Sequence, residues 1–181
     1  YIDTDSELFE YTSNAITKKG LIQEGDGTSS SPYLISSFRE LNNIREFAVF
    51  DSYYESYYIK GYFKLTENIT ISDDWQPIET CFKGNFNGNS KTISNISMTI
   101  KSSNNYYGLF RSTDNATFSN LNISNVTVYS GSNSGSVCIG AICGFASYSD
   151  FTGCMVKSGT MGASYNNYAS SIGGLVGFSS H

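Results

Sequence analysis

The later part of this 181-residue chain repeats with a period of 33, and no other feature so narrows the folds open to it. Gly108-Leu109-Phe110, Ala141-Ile142-Cys143 and Gly174-Leu175-Val176 open successive units at positions 108, 141 and 174. The register holds downstream, where Phe118, Leu121, Ile123 and Val128 fall opposite Phe151, Cys154, Val156 and Met161. A period of this size marks stacked architectures, in which one unit cannot bury its apolar face without a neighbour. Each unit holds two or three short apolar runs separated by Gly, Ser or Asn, as expected of a parallel β-solenoid with coils about 4.8 Å apart. Ile93, Ile96 and Met98 repeat the spacing of Phe118, Leu121 and Ile123, so the stack is expected to begin before its first glycine motif. The expected class is all-β, a right-handed parallel β-helix.

Composition supports the same class. Glycine (17) far outnumbers proline (2), and only 15% of residues are charged, a strand-and-turn composition. With 39% hydrophobic and 15% aromatic residues the chain has the material for a core and is not disordered. Its length suits one domain. The net charge of -5 comes from scattered acids, and no basic patch exists to neutralise a phosphate backbone, so nucleic acid is not an expected partner. No run approaches the roughly 18 apolar residues of a membrane-spanning helix, so membrane insertion is not expected either. The chain starts at Tyr1 rather than Met, which favours a processed, secreted or cell-surface protein.

Residues 1–24 read as a polar arm and residues 25–181 as the solenoid domain. The arm's apolar residues, Ile2, Leu8 and Phe9, or Leu21 and Ile22, would pack on the domain's own edge or on another copy. Gly25-Asp26-Gly27-Thr28 is turn chemistry, and Pro32-Tyr33-Leu34-Ile35 a short strand. Ser36 or Ser37 then caps a helix carrying Phe38, Leu41, Ile44 and Arg45 at helical spacing, with Glu40 near its start. A short amphipathic helix there is a lid over the first open rung. Residues 47–62 are rich in tyrosine. Tyr53, Tyr54, Tyr57 and Tyr58 either line a packed β-excursion or stand exposed to stack on sugars or a protein. From Tyr62 to Ile71 apolar and polar residues alternate, as in a half-buried strand.

Several of these segments occur in a familiar order. Ser31-Pro32-Tyr33-Leu34-Ile35-Ser36, Tyr62-Phe63-Lys64-Leu65-Thr66, Trp75-Gln76-Pro77-Ile78, Phe82-Lys83-Gly84-Asn85-Phe86-Asn87-Gly88-Asn89 and Thr92-Ile93-Ser94-Asn95-Ile96 are similar to the head of GLUG-motif proteins. Gly108-Leu109-Phe110 and Gly173-Gly174-Leu175-Val176-Gly177 resemble the motif that names that family. The resemblance spans residues 25–181. It implies a β-helix of secreted or cell-surface proteins, including adhesin-like chains and the non-catalytic region of some immunoglobulin A peptidases, and carries over no catalytic residue. Ala141 and Cys143 depart from the usual Gly-Leu-Val pattern.

Nothing in the chain assembles recognisable chemistry. Asp73-Asp74 is the one adjacent acidic pair and reads as a solvated turn, and His181 is the single histidine. No metal-ligand spacing, nucleophile elbow or phosphate-binding loop occurs, so no cofactor, metal or enzymatic activity is expected. Cys81, Cys138, Cys143 and Cys154 form no CxxC pair. They are either small buried hydrophobes or, in an oxidising compartment, include one disulfide from Cys154 to Cys143 or Cys138. Five sequons occur, at Asn68, Asn95, Asn115, Asn122 and Asn125, where 17 Asn and 44 Ser plus Thr would give about four by chance. Asn95, aligned with Asn120, reads as a corner residue, and Asn115 and Asn122 as the better exposed. In a eukaryote at least one would carry an N-glycan.

The expected function is an extracellular, non-enzymatic structural subunit that self-associates end to end into a filament or surface layer. Its last rung, Ile172, Leu175, Val176 and Phe178, would meet the arm of a neighbouring copy. The alternatives are an adhesin-type module binding carbohydrate or protein, and a passive stalk of a larger surface protein.

Overall fold

Stacked coils define the molecule: nearly every strand pairs, in parallel, with a strand of the coil before or after it. The computed structural model describes residues 10–12, 15–17, 20–100, 106–130, 136–162 and 171–180. Of the predicted arm contacts, Ile2, Leu8 and Phe9 lie outside the described residues, as does His181. The strands form a β-solenoid of about four turns. One face stacks Tyr33–Ile35, Tyr62–Leu65, Asn85–Asn87, Thr117–Ser119 and Asp150–Thr152. A second stacks Ser56–Ile59, Cys81–Phe82, Phe110–Asp114, Cys143–Ser147 and Val176–Ser180. A third runs from Ile69–Thr70 through the nine-residue strands Thr92–Ile100 and Asn122–Ser130 to Met155–Val156 and Gly159–Met161. A narrow fourth face joins Tyr106–Tyr107, Cys138–Ile139 and Ser171–Ile172.

The 33-residue period is realised in this pairing: Phe110 faces Cys143, which faces Val176, and Phe118, Ile123 and Val128 face Phe151, Val156 and Met161. The earlier coils are shorter, and there the register differs from expectation. Ile93, Ile96 and Met98 pair with Ile123, Val126 and Val128, not with Phe118, Leu121 and Ile123, while Phe118 pairs with Phe86. The confusion has a physical source. Both apolar triplets straddle a left-handed asparagine, Asn95 at φ 61 and Asn120 at φ 50, so one spacing recurs at two different corners. Asn95 accordingly aligns with Asn125. The run from Tyr62 to Ile71 is likewise two strands on two faces, not one.

Inward residues form the core. Phe63, Phe82, Phe86, Phe110 and Phe118 are buried and pack ring against ring, and Phe151 lies over Phe118 at 5.1 Å with the planes 3° apart. Trp75 is buried too, and its indole N–H donates to the Leu109 carbonyl at 3.1 Å. Each coil bends where a residue adopts positive φ, a conformation asparagine tolerates better than other residues with a side chain. Asn115, Asn120 and Asn125 fill three such corners, and 33 residues on, Tyr148 (φ 43) and Gly153 (φ 64) fill the first two again.

The helical lid forms as expected over Phe38–Asn43, continuing as a 3₁₀ turn through Ile44–Phe47. Ser37 is its N-cap, accepting from the Glu40 N–H at 3.3 Å, and the Glu40 carboxylate accepts from the Ser36 N–H at 2.8 Å, a variant of the capping box. Burial alone would raise the Glu40 pKa, but the hydrogen bonds from Ser36 and Ser37 outweigh it and hold the carboxyl below its usual value. Leu41, Ile44 and Phe47 plug the first coil. Ile22 is buried in the same cluster and Leu21 packs on it, its carbonyl accepting from Asn43 at 2.8 Å. Of the two placements expected for them, these residues take the domain's own edge, beside the lid, and not an intersubunit surface.

Tyr148 is a bulky residue in a left-handed corner, with its side chain exposed. Tyr148→Asn, restoring the residue of the preceding corner, should raise stability by about 1 kcal/mol in urea unfolding, since the strain is relieved and little packing is lost.

Candidate functional site

Two ends and one hairpin concentrate the unusual surface. At the far end of the stack, the strands Asp150–Thr152, Ser171–Ile172 and Val176–Ser180 pair on one side alone among the described residues. Their apolar side chains are correspondingly uncovered: Ile172 is 46% exposed and Phe178 48%, with Met155 of the third face at 54%. Leu175 and Val176 are half-buried against the core. Phe178 lies parallel to Phe145 at 5.8 Å, so one ring face is covered by the coil below. All four residues predicted for the last rung are thus at one end of the solenoid.

At the other end the second face is closed by an antiparallel hairpin, Ala48–Asp51 with Ser56–Ile59, which turns through Glu55 at φ 48. This hairpin carries the tyrosines, and its aromatic face is not packed away. Tyr53 is 83% exposed, and Phe50, Tyr54 and Tyr57 are exposed as well, whereas Tyr58 is half-buried. Lys83 reaches the hairpin from the next coil, 5.7 Å from the Tyr54 ring and 5.8 Å from that of Tyr58, while its ammonium pairs with Asp114 at 2.8 Å. The hydrogen bond to Asp114 raises its pKa. The predicted aromatics therefore form one surface, on which Phe50 and Tyr57 also pair across the strands at 5.2 Å.

The remaining candidates are scattered. Asp73 and Asp74 bond to Ser72 and Gln76 separately and share no ligand position. No group of three His, Cys, Asp or Glu residues that could hold a metal occurs among the described residues. Asn95 stands at a corner and Asn115 is exposed, as expected, whereas Asn122 is not exposed. Asn122 is half-buried, its amide N–H₂ donating to the Ser90 carbonyl at 2.9 Å. Asn95 and Asn125 are exposed corner residues bonded to each other at 2.6 Å. Asn115 is exposed but donates to Asp114. Asn68 accepts from the Thr92 N–H, which leaves its amide nitrogen, the atom a glycan would occupy, directed away from that bond.

All four cysteines are free thiols, so the disulfide from Cys154 to Cys143 or Cys138 is not formed. The stacking explains why: Cys138 sits on the narrow face opposite Ser171, Cys143 on the second face opposite Val176, and Cys154 beyond the first face next to Thr152. Cys143 is fully buried, and burial pushes its thiol up to about 12.

These surfaces belong to a β-solenoid protein. No family model and no curated protein matches the chain. Among solved structures it is similar to one from Bacteroides ovatus, provisionally named an immunoglobulin A1 protease, with a TM-score of 0.51 and 18% identity. The match covers 89% of this chain and 57% of that one, so this chain spans little more than half its length. What the two share is the fold.

The Cys143 thiol makes a test of burial. Burial keeps the thiol protonated and out of reach at pH 8, so iodoacetamide should leave Cys143 unmodified until denaturant is added, as mass spectrometry of tryptic peptides would show. Folding raises this pKa from 9.0, so the stability it favours is full below pH 9 and declines as pH climbs toward 12. Cys143→Val, matching the Val176 it faces, should flatten that alkaline decline.

Proposed function

We propose that the chain is an extracellular, non-enzymatic structural module that associates end to end, with the arm of one copy lying against the last rung of the next. The observation that carries this reading is the difference between the two ends. The first coil is plugged by a helix and flanked by a hairpin, while the last leaves strand edges unpaired among the described residues and the apolar side chains Ile172 and Phe178 exposed. Because the helix occupies the first rung, one solenoid has no open rung to lay directly on another. The arm is the element left to make the contact. Its described part is a small antiparallel hairpin, Glu10–Thr12 with Ala15–Thr17, that pairs with no other strand among the described residues. A two-stranded hairpin alone is marginal in water, and an unpaired edge is a template for it. The resemblance to GLUG-motif proteins agrees with a surface location. A contact between unlike surfaces that does not close into a ring would propagate as a filament.

Sedimentation velocity from 1 to about 100 µM should show mass growing with concentration, and Phe178→Asp should weaken association at least tenfold. A chain that stays monomeric across that range would overturn the reading.

The exposed aromatic hairpin favours a second reading, an adhesin-type module. On a glycan or host-protein array, binding that disappears in a Tyr53→Ala, Tyr54→Ala, Tyr57→Ala triple variant would support it. Since those side chains are exposed, the variant should melt within a few degrees of the parent.

A further inference from the structure

The outward side of the first face holds a feature that neither reading uses. Phe63, Phe86 and Phe118 point into the core there, so the residues on either side of each point outward. Pairing between coils lines these up in two rows that run along the solenoid axis. Tyr62 faces Asn85, which faces Thr117, and Lys64 faces Asn87, which faces Ser119. The loop bearing Ser29, Ser30 and Pro32 rises beside them, and together they enclose a groove of about 430 Å³.

The chemistry of the two rows is specific. Tyr62 presents an aromatic ring, 41% exposed. Asn85, Thr117 and Ser119 present an amide and two hydroxyls whose side chains have no hydrogen-bonding partner among the described residues, while Asn87 uses its carbonyl oxygen on the Asn89 N–H and keeps its amide donors. Lys64 brings the one charge of the groove lining; the first row continues to Asp150, which faces Thr117 from the next coil and lies outside that lining. One cation in a protein of net charge -5 is a poor host for a polyanion, and a lining without carboxylates is a poor host for a metal ion. A ring face with neutral donors and acceptors beside it is what a sugar needs, since its C–H face stacks on the ring while its hydroxyls both donate and accept. Successive coils advance by about 4.8 Å, close to the advance of one residue along an extended polysaccharide.

We infer that this groove binds a neutral oligosaccharide, its chain running across the coils with one sugar on Tyr62 and its neighbours over Asn85 and Thr117. The site lies away from the open end and does not depend on self-association.

Isothermal titration calorimetry of the full chain with cellohexaose, xylohexaose, mannohexaose and chitohexaose tests this. At least one hexasaccharide should bind, and the corresponding disaccharide should bind at least tenfold more weakly because it spans fewer coils. Tyr62→Ala should lower that affinity at least tenfold and Asn85→Ala several-fold, with unchanged thermal melts. Phe178→Asp should leave it intact, so failure of the assembly reading and failure of this one are distinguishable. No heat with any of the four at millimolar sugar would overturn the inference. So would binding that survives both groove substitutions, or that is lost on changing Tyr53 and Tyr57 instead. Tighter binding of a sulfated heparin hexasaccharide, abolished by Lys64→Ala, would overturn the neutral class.

Discussion

Every coil of this protein is buried by its neighbours, and the rest of the structure follows from that dependence. Phe118 is covered because Phe86 lies beneath it and Phe151 above. The same holds for the aliphatic column of Ile93, Ile123 and Val156 on the third face. An inward side chain gains little from its own coil, since two or three short strands enclose no volume by themselves. Stability therefore accumulates coil by coil, and the first and last described coils lack a coil on one side. At one of them the protein uses Leu41, Ile44 and Phe47 in place of a further coil.

That dependence also explains which parts of the fold were legible in the sequence. Coils of equal length return paired residues at a fixed spacing, so the 33-residue period between Phe110, Cys143 and Val176 could be read directly and proves to be the strand register. The lid was legible from the Ser37 cap and the Glu40 that follows it, because capping is local chemistry. The earlier coils were not, because 23 to 32 residues separate partners there and the linear pattern no longer returns to the same face. Ile93 and Phe118 look equivalent in sequence because each precedes a left-handed asparagine; the difference between them is which corner that asparagine turns.

The surfaces were legible to a smaller degree. Tyr53, Tyr54 and Tyr57 were visible as a cluster because they lie close together in the chain, but their exposure depends on a hairpin that closes the edge of the second face. The Tyr62, Asn85 and Thr117 row was almost invisible in the sequence. Its members are 23 and 32 residues apart, and only the pairing of three coils makes them neighbours. The one trace was alternation, since each flanks a buried phenylalanine and must therefore point outward. In a solenoid, functional rows run perpendicular to the chain, which is the direction a sequence does not display.

The contrast between the ends bears on how such a module can be used. A parallel sheet has a polarity, and its two edges here receive different treatment. On the second face, the first edge is the strand Ala48–Asp51, antiparallel to its neighbour and tipped by exposed Phe50. The other edge is Val176–Ser180, parallel to Cys143–Ser147 and continuing its register residue for residue. The first edge breaks the coil geometry and the last preserves it, so a further strand laid on Val176–Ser180, from the same chain or another, finds the same spacing that every internal coil provides. Phe178, stacked on Phe145 with its other face open, repeats the position that Phe145 itself holds one coil earlier. The surface offered there is therefore a template for one more strand of the kind already present, and selective for extended backbone before it is selective for side chains.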